Sequence, residues 1–249
     1  MEDRPVPHLV ALLLMPAVFG LALLVAPVIG ALGLVWHAEF PLIELVCILL
    51  PALAAARGAT PSVRGALALR WAPARVVVGA LLFGATFWYL NAVLVAPILA
   101  EHTSESDRVL AGALAQHTPL AVELLVLALV PAFCEEILVR GAIARGLAGR
   151  FGPVAAVVLS SAYFAVLHLS LARALPTLVL GGFLSVIVLR TGSLVPAMLI
   201  HALNNGAALL LTDSSMAPVV EALSVRPELV LAGAGAGAGI GLFMMLRRR

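Results

Sequence analysis

The chain has 249 residues, 63% of them hydrophobic and 11% charged, with a formal net charge of +2 and a mean hydropathy of +1.12. Roughly a quarter of a soluble domain is charged, so a water-soluble enzyme and a nucleic-acid partner are both excluded. Lipid is the solvent this composition fits, and an all-α, polytopic membrane helix bundle is the expected fold.

A helix of about 20 apolar residues crosses the hydrocarbon core with every backbone amide bonded inside the segment. Eight such segments are expected: 8–34, 40–56, 76–99, 118–139, 154–170, 174–190, 194–211 and 228–246. The first is longer than a signal-peptide core and its leader "MEDRPVP" is not basic, so it reads as a span. The connector 57–75 is Arg-rich and suits a short interfacial helix, whereas 100–117 is acidic and polar. The fifth to seventh spans are short with tight connectors, which suits helical hairpins. In the last span Gly233, Gly237 and Gly241 recur every four residues and form a flat stripe for close helix contact. Three regions result: 1–117 with three spans, 118–211 as the core, and 212–249 with the Gly-rich span and basic tail.

With both termini cytoplasmic, one side holds Arg4, Arg57, Arg64, Arg70, Arg75, Arg140, Arg145, Arg150, Arg190, Arg247, Arg248 and Arg249. The other holds only Arg108, Arg173 and Arg226, with most of the acids, including Glu101, Glu105, Asp107 and Asp213. That is the positive-inside bias, and it requires an even number of spans. Cys47 and Cys134 lie in apolar runs and read as buried hydrophobes, so no disulfide framework is expected. The absence of lysine and the heavy Ala, Val, Leu and Gly usage suggest a GC-rich, bacterial genome, and hence a bacterial cytoplasmic membrane.

Polar residues at membrane depth are functional by default, since a central charge costs about 2.5 kcal/mol or more to insert. Taken singly, Glu44, Asn91 and Glu123 read as bonding a neighbouring helix. Glu135, Glu136 and Arg140 are different. Adjacent residues point about 100° apart on a helix, so the two glutamates are expected to serve different partners. Glu136 and Arg140 are i and i+4, with the acid N-terminal, the favourable order for an ion pair. Glu135 is left unpaired. Further on, His168 shares a face with Phe164, and His201 shares one with Asn205. A carboxylate, two imidazoles and an amide on three spans supply the parts for acyl-bond hydrolysis: a base for water and donors for an oxyanion.

In order, "EEILVR", "FAVLH" and "HALNN" match EExxxR, FxxxH and HxxxN without a gap. Over about 120–211 the chain thereby resembles the CPBP (CAAX protease/Abi) family of intramembrane glutamic proteases, which includes CAAX prenyl endopeptidases and proteins linked to bacteriocin processing and immunity. The resemblance implies that Glu135 is the general base and His168 helps it to hold water. It implies that His201 and Asn205 form the oxyanion hole, while Glu136, Arg140 and Phe164 support the site. An eight-helix bundle around a cavity open to the cytoplasm is the implied fold, with no cofactor. The substrate is then a membrane-associated, leader or CAAX-like peptide or protein, arriving from the membrane or the cytoplasmic side.

Depth presents a difficulty. Glu135 and His168 fall near mid-membrane, whereas His201 follows the tight turn at 191–193 by only about 11 Å of helix. They meet if the fifth helix starts late, after Gly152-Pro153. Three other readings compete. A zinc protease would use a glutamate and two histidines as ligands, although the HExxH spacing is absent. A non-catalytic immunity or scaffold protein would keep the fold without the chemistry. A transporter would need broken helices at matching places in two halves, and these are not evident.

Overall fold

The computed structural model describes residues 4–114, 118–212 and 216–247. Asp213, Arg248 and Arg249, counted above for orientation, lie outside the described residues. Among the described residues the protein is all-helical, 86% helix and without strands. Helices α1 (His8–Gly30), α2 (Trp36–Ala59) and α4 (Ala74–Leu99) are each long and apolar enough to cross a membrane, as are α8 (Leu171–Thr191) and α11 (Pro227–Leu246). These five make it an integral membrane protein. Between them lie the short α3 (Val63–Ala66), α5 (Glu105–Leu114), α6 over residues 120–151 and α7 over 153–167. Helices α9 (Val195–Thr212) and α10 (Ala217–Val225) complete the chain. The short helix expected in the Arg-rich connector is α3.

The surface is inverted relative to a soluble protein, as lipid requires. Leu13, Leu24, Val28, Trp71 and Val154 are widely exposed, while Arg140 is the bulkiest of the fully buried side chains.

One expectation is corrected. Helix α6 does not stop at 139 but runs on to residue 151, carrying Arg140 into the core and not into a cytoplasmic loop. Arg140 therefore gives no information on loop charge. Helicity breaks at Gly152, whose φ of 79° and ψ of 165° leave the helical region. Glycine tolerates that φ, and the proline after it cannot donate to the preceding turn. Helix resumes at Pro153, where the late start of the fifth span is expected.

Several helices widen into π-turns: Glu44–Leu49 in α2, Asn91–Val95 in α4, and Leu124–Leu129 and Ile137–Ala144 in α6. A π-turn shifts the facing of later side chains and leaves a carbonyl available, which is why such turns gather at functional sites. Asn91 behaves as a structural polar residue, donating from Nδ2 to the Pro176 carbonyl of α8 at 3.2 Å.

Helices α4 and α11 pack backbone to backbone. A Cβ at Gly241 would stand 2.6 Å from the Gly79 carbonyl and 2.7 Å from the Phe83 nitrogen, and one at Gly237 would stand 2.6 Å from Thr86. Gly233 has no atom within 4 Å of that position, so the expected stripe is two residues long, not three. Gly241→Ala is expected to lower stability by about 1–3 kcal/mol through overpacking. Gly233→Ala should stay within about 0.5 kcal/mol of wild type. Thermal unfolding in detergent compares the two.

Candidate active site

Glu135 and Glu136 close the α-helical turn Val130–Glu136 just before the second π-turn of α6. Glu136 Oε1 accepts from Arg140 Nη1 at 2.7 Å, and both side chains are 0% exposed. The same oxygen lies 2.9 Å from His201 Nδ1. An ionised carboxylate only accepts, so Nδ1 carries the proton and donates to it. The ring then turns Nε2 toward Glu135, whose Oε2 is 3.7 Å away.

Both glutamates thus face one imidazole, contrary to the expectation that they serve different partners. The 100° between them is spanned by the ring, whose two nitrogens point in different directions. Sequence spacing gave the Glu136–Arg140 pair but carried no sign of the Glu136–His201 bond, which joins residues 65 apart.

Phe164 organises the opposite side. Its ring stands edge-to-face with His168, centroids 4.9 Å apart, and with His201 at 5.5 Å. The Arg140 guanidinium carbon lies 4.2 Å from the ring centre. A cation over an aromatic face in a dry setting is worth about 2 kcal/mol. Gly181 of α8 makes room for this stack, since a Cβ there would lie 3.1 Å from Arg140 Nη2 and 3.2 Å from Phe164. His168 Nδ1 donates to the Phe164 carbonyl at 2.9 Å, which leaves its Nε2 as an acceptor. No hydrogen bond or ion pair joins Glu135 to His168 among the described residues; Phe164 and His201 connect them.

Asn205 donates from Nδ2 to the Leu127 carbonyl, in the first π-turn of α6, at 3.2 Å. Its Oδ1 accepts from Asn204 at 3.4 Å. An amide nitrogen has two hydrogens, so the Leu127 bond fixes the group and leaves a second N–H for a ligand. Among the described residues, no three His, Cys, Asp or Glu side chains are grouped closely enough to hold a metal ion.

Sequence reasoning missed the strap over His168. The chain reverses after that histidine through Leu169 at φ 48°, a left-handed conformation that strains a branched residue. Ser106 of α5 donates to the His168 and Leu169 carbonyls at 3.2 and 3.1 Å. Asp107 anchors α5 there by an ion pair with Arg173 at 2.7 Å and a bond from Ser170 at 2.7 Å.

Partial burial opposes ionisation of Asp107, but hydrogen bonds from Ser104 and Ser170 and the Arg173 charge outweigh it, holding the carboxyl at about 2. A depressed carboxyl contributes its stability above its unfolded value near 3.9 and loses it as the pH falls toward the folded value. Asp107→Asn is therefore expected to raise amide hydrogen exchange across 105–114 by about tenfold, one such bond being worth about 1.5 kcal/mol or more. Wild type should show the same loosening only as the pH falls from about 4 to 2.

No curated protein and no solved structure gave a match. The segment carrying all three motifs, residues 117–207, matches the family model described as type II CAAX prenyl endopeptidase Rce1-like, so across its site-bearing third the chain is similar to the Rce1-like proteases of the CPBP family.

Proposed function

We propose that this protein is an intramembrane endopeptidase in which Glu135 activates water against a peptide bond. The observation that carries the reading is the relay from Arg140 through Glu136 and His201 to Glu135, with successive contacts of 2.7, 2.9 and 3.7 Å. Arg140 pairs directly with Glu136, which leaves Glu135 as the carboxylate available to water.

In this reading Glu135 takes a proton from a water held also by His168 Nε2, and the hydroxyl adds to the carbonyl carbon. The oxyanion that forms is met by the second N–H of Asn205 and by His201, which donates from Nε2 when protonated there. Glu136 supports that protonated ring from the far side, because it accepts from Nδ1. Return of the proton from Glu135 to the amine nitrogen breaks the C–N bond and frees an amine and a carboxylic acid. Fixed donors aimed at developing charge contribute about 3–4 kcal/mol each in comparable sites.

The chain crosses the membrane eight times in this proposal, with α6, α7 and α9 added to the five long spans and both termini in the cytoplasm. The substrate is a membrane-anchored, leader or CAAX-like segment reaching the site from the bilayer or the cytoplasm. The reaction uses no metal, so cleavage should survive strong chelators.

The test is a comparison of membrane proteomes from cells carrying wild type and Glu135→Ala. A precursor that accumulates in the variant and is cut by purified wild-type protein in liposomes identifies the substrate. Equal processing in both strains would leave the immunity or scaffold reading in its place.

A further inference from the structure

Glu44 read by itself as a residue bonding a neighbouring helix, and the structure does not bear that out. It is 7% exposed, and its Oε2 is buried without a hydrogen-bond partner among the described residues. Asn91 differs in that its amide nitrogen bonds directly to α8, although its Oδ1 is also without a partner among the described residues. A carboxyl group left unsatisfied in hydrocarbon is expensive, so its surroundings matter.

Those surroundings are the site. Glu44 opens the π-turn of α2, and that turn packs against the part of α6 that ends in Glu135 and Glu136. Glu44 and Glu135 lie within electrostatic range of one another, and Cys134, next to Glu135, lies within range of both. Glu135 Oε2 is likewise buried without a hydrogen-bond partner. A third such atom comes from α7: the Tyr163 hydroxyl, on a side chain 6% exposed, which interacts with Glu135. Three helices therefore aim unpartnered polar atoms into one region.

Charge accounting narrows the role. The carboxyls here are those of Glu44, Glu135 and Glu136, and the cationic groups are Arg140, bonded to Glu136, and His201 when protonated, its Nε2 3.7 Å from Glu135 Oε2. Glu44 remains without a cationic partner among the described residues, and a second like charge on the packed α2–α6 contact in lipid is strongly disfavoured. We propose that Glu44 is the second carboxyl of the hydrolytic site, a positioning residue that shares one proton with Glu135 and leaves Glu135 as the single ionised acid. This rests on the reading of Glu135 as the base. The proton that Glu44 holds turns a hydrogen bond toward Glu135 and orients the carboxylate that receives the proton from water.

The role predicts opposite signs for stability and activity. Relieving an unsatisfied buried acid stabilises a fold, whereas removing a positioning group slows chemistry. Purified Glu44→Gln is expected to unfold at or above the wild-type midpoint. Its kcat should fall about 10- to 100-fold, with KM within about twofold because substrate binding is untouched. Glu44→Asp, which keeps the carboxyl, should recover part of kcat. Difference infrared spectra of wild type at neutral pH should contain a protonated-carboxyl stretch that Glu44→Gln lacks.

A wild-type kcat in Glu44→Gln, or a lower midpoint in both Glu44→Gln and Glu44→Leu, overturns the proposal, as does an unchanged infrared band. The unfolding and infrared measurements need no turnover, so their failure removes Glu44 alone. Cleavage that persists in Glu135→Gln would instead remove the base on which the pair depends.

Discussion

Glu135→Gln is expected to abolish peptide-bond cleavage, by about 10²- to 10⁴-fold or more, while the protein folds as before. The amide is nearly isosteric and removes the basic oxygen without opening a cavity. It also leaves the buried Glu136–Arg140 pair intact. Glu135 carries no structural hydrogen bond from Oε2, and its side chain is 12% exposed where its neighbour Glu136 is sealed. Neutralising an acid so placed does not lower stability. The variant should therefore elute as wild type in size-exclusion chromatography and show an equal or higher thermal midpoint. Single-turnover cleavage of a reconstituted substrate reads the chemistry apart from binding. Near-wild-type turnover would remove glutamate-activated water from the mechanism.

What the sequence revealed depended on the range of each interaction. The five long spans were legible because apolar runs of bilayer length are a local property of composition. The Glu136–Arg140 pair was legible because helix geometry fixes i, i+4 neighbours, and Gly152-Pro153 marked the break because both residues act on their own backbone. Glu44 and Tyr163 were not legible as members of the site. Their relation to Glu135 is set by how α2 and α7 pack on α6, and no local motif surrounds either residue. The π-turns were equally hidden, since an added residue in a helical turn leaves the hydrophobic pattern almost unchanged. They alter facing, and so Asn205 finds a carbonyl at Leu127 and one imidazole meets two adjacent glutamates.

The second large effect concerns Arg140. Arg140→Met is expected to destabilise the protein by about 3–5 kcal/mol, because it leaves Glu136 as an uncompensated buried charge. It also strips the guanidinium from the face of Phe164, 4.2 Å away. Methionine fills much of the arginine stem's volume, so the loss reports charge and not a cavity. Arg140 Nε and Nη2 have no hydrogen-bond partners among the described residues, which marks the pair as poorly compensated even in wild type. A buried pair of that kind is commonly replaced by apolar or neutral groups at no net cost in stability. The double variant Glu136→Gln/Arg140→Met should accordingly regain the wild-type midpoint, or pass it, in detergent unfolding. Activity should not return with the fold. With Glu136 neutral, His201 Nδ1 loses its anionic acceptor, the ring is free to change tautomer, and a protonated Nε2 is no longer favoured when the oxyanion forms. Stability restored without turnover is thus the signature of a pair kept for chemistry. A double variant as unstable as Arg140→Met would show that the pair is kept to hold the bundle together.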